Sequence, residues 1–178
     1  VVGKVMTLSM VDAVGAGYSP LFGVDLMLAA TARQAKKPVV ALETVQEQIA
    51  ALGLGSNKLA DSATPQDFDK VLGDITSGKS RDLLRQLAGY WQQGDLAAVD
   101  QLMRTCNCMD DLGMKSALLD DRNARMAERI PAHLDKYPNL LIAMGLLHMV
   151  GDNNLLQMLE KRGYTVRQLT GVGASNGP

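Results

Sequence analysis

Few side chains in this sequence can do bond-breaking chemistry, and His148 is foremost among them. It closes Gly145-Leu-Leu-His148, directly after the apolar run Leu140–Met144. If that run is a strand, His148 lies just past its carboxyl end, where open α/β sheets place their ligands. With 2 histidines and 17 glycines in 178 residues, chance supplies a Gly-x-x-His roughly 0.2 times, so the motif needs its context. Glu43 ends a first apolar run, Pro38-Val-Val-Ala-Leu42, as His148 follows the second. If both runs are parallel strands, carboxylate and imidazole reach the same rim, where open α/β sheets place their ligands. Glu43 there binds a metal or acts as a base. The competing account has it satisfied by the backbone of the next helix. Arg122 is a bidentate fork for Glu43 or for a substrate carboxylate, or else an ordinary ion pair with Asp121 or Glu128. Asn123 orients a water or a loop, or satisfies backbone groups. For His148 the plainer account is a strand-end histidine bonded to its own loop, and His133, beside Asp135-Lys136, reads as solvated.

Other chemistries lack their residues. There is no Gly-x-x-x-x-Gly-Lys-Ser/Thr phosphate loop and no Gly-x-Gly-x-x-Gly between a strand and a helix. A Gly-x-Ser-x-Gly elbow is also absent. Two histidines cannot build a multi-histidine metal site. Cys106 and Cys108, too few for a disulfide scaffold, read as exposed or half-buried thiols. The 10 methionines read as irregular core filling.

The elements that must position these residues follow from periodicity and punctuation. Val2, Val5, Met6, Met10 and Val14 mark a helix ended by Gly15-Ala-Gly17. Val24 to Ala35 is a second, closed by Lys36-Lys37-Pro38. Thr44 and Glu47 form a capping box for a third. Pro65 starts the next helix and Gly78 breaks it. A helix carrying Leu83, Leu84, Leu87 and Trp91 closes near Gly94, and Asp95 caps another. Tyr90 and Trp91 read as core anchors. A longer helix runs from Gly113 to about Arg129, with Pro131 ending or kinking it. Asp152 to Asn154 cap a helix that Gly163 stops. The class expected is α/β, largely helical, with a small parallel sheet of strands at about 38–43, 140–145 and 164–169. Three strands are few for so much helix, which suggests part of a larger sheet.

A length of 178 residues fits a single domain, 1–178, with a flexible tail at 171–178. A formal charge of −1 without a basic cluster argues against nucleic acid as a partner. The longest apolar run, 140–150, is too short to cross a bilayer, so no transmembrane segment is expected.

Four segments together resemble the TraB/GumN family, relatives of PrgY and the Tiki metalloproteases. Gly23-Val-Asp25, Ala29-Ala30-x-Ala32 and Lys37-Pro-Val-Val-Ala-Leu-Glu43 are similar to one family segment, and Gln48 also matches. Trp91-x-x-Gly94-Asp95 is similar to a motif of GumN-type members. Arg122-Asn123 with Met126-Ala127 resembles the family's Arg-Asn pair. The stretch from Ala143 through Gly145, His148 and Gly151 to Gly163-Tyr164 resembles the closing Gly-x-x-His segment. The resemblance implies a metal-dependent, peptidase-like hydrolase with Glu43, His148, Arg122 and Asn123 at its site. It also implies a divalent metal (Mn, Co or Zn) on His148 and Glu43 in the full-length protein, with weak or no binding by this chain alone. The family has two Gly-x-x-His motifs and only the second is present, so the chain is expected to be the carboxyl-terminal part of a larger domain. A sheet edge left open would be covered by a second copy or by the missing amino-terminal segment. The alternatives are a non-catalytic peptide- or ligand-binding regulatory protein and a purely structural module. Exported relatives point to the periplasm or cell envelope, with the cytoplasm as the other alternative.

Overall fold

The computed structural model describes residues 2–51, 65–106 and 116–169. Its elements are α1 (Val2–Gly15), a 3-10 turn (Pro20–Phe22), α2 (Val24–Gln34), α3 (Val45–Ala51) and α4 (Pro65–Thr76). There follow α5 (Lys79–Gln93), α6 (Leu96–Cys106), a π turn (Ser116–Asp120), α7 (Asp121–Lys136), a second 3-10 turn (Leu146–Met149) and α8 (Leu155–Glu160). The small-residue loop expected at 53–63, the helix start at Gly113 and the tail at 171–178 lie outside the described residues.

The described residues form an all-helical fold, and the α/β expectation is corrected. No strand occurs among the described residues, and the segments 38–43, 140–145 and 164–169 are irregular backbone without a ladder. Their apolar side chains do what such residues must, but against helices. Leu42, Ile142 and Met144 pack on a core of Met126, Ala127, Ile130 and Leu155, drawn from α7 and α8. Burial alternates along 140–145, with Ile142 and Met144 turned inward and Leu141 76% exposed. A period-2 apolar pattern records a half-buried extended segment. A strand also needs a neighbour to complete its hydrogen bonds, and nothing local in sequence supplies one.

Local signals account for most helix ends. The Glu47 carboxylate accepts from the Thr44 N–H at 2.7 Å, and the Thr44 hydroxyl accepts from the Glu47 N–H at 3.2 Å, a complete capping box. Asp95 accepts from the Ala98 N–H at 2.9 Å, and Asn154 accepts from the Gln157 N–H at 2.9 Å. Gly78 and Gly94 flank α5 in left-handed backbone. Pro131 does not end α7, which runs on to Lys136.

α1 packs against α4 and α5, α5 against α6, and α7 against α8. Buried Asp12 on α1 accepts from Arg81 on α5 at 2.7 Å. Trp91 is 51% exposed, so it is a surface residue and not a core anchor. Cys106 is half-buried and disulfide-bonded, which corrects the free-thiol expectation. α7 organises the rest. Asn123, Met126, Ala127 and Ile130 are buried at i, i+3, i+4 and i+7, one face of the helix.

Ile130→Ala is expected to cost about 2–5 kcal/mol, because it opens a cavity in an enclosed site. Leu141→Ala, with no packed side chain to remove, should stay within about 0.5 kcal/mol. Urea unfolding midpoints at unchanged m-value measure both. Equal losses at the two positions would contradict this packing.

Candidate functional site

The sequence-selected residues converge on α7. The π turn delivers the chain to Arg122, whose Nη1 donates to the Leu118 carbonyl at 3.2 Å. Its Nε donates to Glu43 Oε1 at 2.9 Å and Oε2 at 3.1 Å, and its Nη2 donates to Oε2 at 2.6 Å. Glu43 thus finds its partner across 79 residues of sequence, and the alternatives with Asp121 and Glu128 are not taken. Glu43 is buried, and its carboxyl is held below the usual carboxylate range. Hydrogen bonding to Arg122 is the main cause. Burial opposes it, and the positive charges of Arg122 and Arg125 reinforce it.

On the adjoining face, Asn123 is 1% exposed and joins two parts of one loop. Its Nδ2 donates to the Asn153 carbonyl at 2.8 Å, so its Oδ1 is the atom turned to His148 Nδ1, 2.6 Å away. That assignment rests on the hydrogen-bond pattern and makes the Nδ1 nitrogen the protonated one. The lone pair of His148 is then on Nε2, the arrangement in which histidines ligate metals or accept protons. His148 is 5% exposed. Burial pushes its pKa down from 6.5, with Arg122 adding to the shift and Glu43 opposing it. The ring is neutral at pH 7.

Behind His148, the loop is clasped by α6. Asp100 accepts from the Gly151 N–H at 2.8 Å, and Arg104 bridges Asp100 at 2.8 Å and Asp152 at 2.6 Å. Gly151 has φ +87°, a backbone conformation that side chains other than glycine rarely adopt. A cavity of about 60 Å³ lies between this clasp and α7, lined in part by Asp100, Arg104, Asn123 and Gly151.

A family profile for TraB/PrgY/gumN proteins matches residues 1–168. The chain belongs to the TraB/PrgY/gumN family. It is similar to the uncharacterized protein YbaP of Escherichia coli, 26% identical over 159 residues, which are 86% of this chain and 54% of that protein. It is also similar to the metalloprotease TIKI2 of Danio rerio, 28% identical over 164 residues, covering 80% of this chain and 31% of that protein. A metalloprotease TIKI homolog of Amphimedon queenslandica is 30% identical over 89 residues, covering 49% of this chain and 15% of that protein. The chain spans about half the length of YbaP and less of the TIKI proteins. No solved structure matches.

Within this family chain, Glu43, Arg122, Asn123 and His148 form one connected group, but no strand ends present them. Gly145 precedes the His148 turn, and a Cβ on it would meet the His148 ring at 3.7 Å. Asp25 is exposed in the first turn of α2, and Gln48 is exposed on α3, where its N–H bonds the Thr44 carbonyl. The fit to a metal is partial. His148 Nε2 is a competent ligand, whereas both oxygens of Glu43 are engaged by Arg122. Among the described residues no group of three or more His, Cys, Asp or Glu side chains is gathered, and a catalytic zinc uses three protein ligands.

Sequence reasoning missed the Asp100–Arg104–Asp152 clasp and the partners of Glu47. Arg129 Nη2 and Nη1 donate to the two Glu47 oxygens at 2.6 and 2.9 Å, and Nη1 also donates to the Leu42 carbonyl at 2.7 Å. Arg129, and after it Thr44, hold the Glu47 carboxyl down to about 2. The spacing of Arg122, Arg125 and Arg129 was the available signal, since it aligns them on one helix face.

Arg122→Ala strands the buried Glu43 carboxylate and is expected to cost about 3 kcal/mol at pH 7. The wild type loses the Glu43 contribution as pH falls from 4.5 through its depressed native value, whereas in the variant burial favours the protonated acid. The stability gap should therefore narrow between pH 7 and pH 4. Urea unfolding at both pH values measures it, and a constant or widening gap would contradict the pairing.

Proposed function

We propose that this chain forms part of a peptidase-like hydrolase of the TraB/PrgY/gumN type, with His148 as its working base or ligand. One observation carries the reading. The His148 ring is neutral and held by Asn123 in the tautomer that leaves the lone pair on Nε2, and the charges of Arg122 and Glu43 reach the ring. The names of the TIKI relatives, metalloproteases, support hydrolysis as the class.

A divalent metal (Mn, Co or Zn) is part of the proposal. When bound, it would activate water or polarise a carbonyl. His148 would contribute one ligand, and further ligands would come from outside the described residues. The residues at hand act independently of that. Asn123 fixes the ring plane, and Arg122 keeps Glu43 ionised. The clasp from α6 holds the loop that carries the imidazole. Burial keeps His148 unprotonated, so its basic form prevails at neutral pH.

A second reading, a non-catalytic peptide-binding protein of the same fold, is favoured by the engagement of Glu43. A carboxylate that receives three contacts from one guanidinium is a poor general base. In that reading the rim holds a peptide without cutting it.

Hydrolysis of a fluorogenic peptide library by the full-length, metal-supplemented protein tests the proposal. His148→Ala is expected to lower kcat about 10²-fold or more, with the fold retained by circular dichroism. Chelation should have a comparable effect. Wild-type activity that survives both changes would overturn the hydrolase reading, and peptide binding without turnover would favour the second.

A further inference from the structure

α2 is a helix without a seat among the described residues. It has 11 residues, its N-cap Gly23 makes no side-chain cap, and none of its residues is buried. A helix of that length is marginal in water by itself, so tertiary cover has to hold it. The element it packs against most is the short 3-10 turn before it. That turn is itself bare, with Leu21 78% and Phe22 77% exposed. Leu26 and Met27 are each more than half exposed on α2. Val39 and Val40, about half exposed, carry the apolar series along the chain to within three residues of Glu43. Single exposed apolar side chains are ordinary, whereas a run of this density marks an interaction surface.

The chemistry of the run narrows what covers it. Asp25 is exposed in the first turn of α2, between Phe22 and Leu26, and has no side-chain partner among the described residues. An anionic lipid surface would press that carboxylate against like charge. A second copy must be recruited from solution, whereas a polypeptide tethered to this one meets the face at an effective concentration in the mM range. The relatives carry such a polypeptide. Nearly half of YbaP and more than two-thirds of TIKI2 lie outside the stretch matched by this chain.

We infer that the 3-10 turn and α2 are an intramolecular docking surface for the portion of the full-length protein that corresponds to the unmatched part of YbaP. That portion covers Leu21, Phe22, Leu26 and Met27 and continues over Val39 and Val40. It therefore arrives beside Glu43, where ligands or substrate contacts beyond those of this chain enter the site. The docking is argued from α2 and does not depend on the hydrolase reading.

Cross-linking in the full-length protein tests it, without activity in the readout. The photo-reactive p-benzoylphenylalanine replaces Phe22 in one variant and Leu21 in another. Each is illuminated as an equal mixture of ¹⁴N- and ¹⁵N-labelled protein, and mass spectrometry identifies the captured peptide and whether both halves share one isotope. The expected product joins either position to a peptide outside residues 1–178 of the same molecule. A mixed-isotope product would assign the face to a second copy and overturn the inference. Capture of lipid, capture within residues 1–178, or no capture from either position would overturn it too. In hydroxyl-radical footprinting, Met27→Glu should raise modification of Leu21 and Phe22 about tenfold relative to Trp91, because a charge in the seat lifts the cover. An unchanged ratio would mean that nothing is seated on α2.

Discussion

Asn123 is enclosed on α7, so both ends of its amide must be satisfied within the protein. The amide nitrogen takes the carbonyl of Asn153 and the oxygen takes the ring of His148. Because the nitrogen end is fixed by a carbonyl, the oxygen end can only accept, and this dictates the tautomer of His148. The histidine cannot rotate without stranding a buried amide oxygen, which costs about 1–3 kcal/mol. Ring orientation, lone-pair direction and loop path are therefore set by one side chain. That side chain is in turn set by the apolar stripe of Met126, Ala127 and Ile130 that seats α7 in the core.

The charged residues extend this arrangement sideways. Rotating one residue back from Asn123 brings Arg122 over Glu43, and successive turns bring Arg125 and Arg129 toward Glu47. Glu43 follows a segment whose Leu42 rests on the same core, and Arg129 holds the Leu42 carbonyl. Packing and charge thus fix the 38–43 segment at two adjacent points. From the other side, Asp100 and Arg104 hold the loop beyond His148. The imidazole and the carboxylate belong to irregular segments, but each segment is held by contacts from regular helix.

This division explains what was legible in the sequence. Caps at Thr44, Asp95 and Asn154 were readable because each is closed within three residues. The pairing of Arg122 with Glu43 was readable only as one option beside a substrate carboxylate and an ion pair with Asp121 or Glu128. The partners of Glu47 and the α6 clasp were not readable. They span 82 and 48 residues, and no local rule selects them. The strands were misread for the same reason. Alternation in 140–145 reports which side chains face a core, whereas a sheet is a long-range property of paired backbones. Of the two options at Pro131, an end or a kink, the end is not taken, because the buried face continues past it. Ile130 precedes that proline, and Leu134 beyond it still packs on the core.

The absence of a ladder among the described residues also changes how the site must be understood. In an open α/β sheet, ligands gather at strand ends because the strands aim successive loops at one rim. Here Glu43 and His148 are each bound to α7 without that device. Arg122 and Asn123, neighbours on one helix, each capture one of them, and neighbouring residues on a helix diverge by about 100°. The two captured groups consequently approach α7 on adjoining faces, near enough for each to perturb the other's ionisation. Sheet geometry is not what keeps these two residues together. An Arg-Asn dipeptide on a well-seated helix is sufficient, and the long-range contacts serve to hold the segments within its reach.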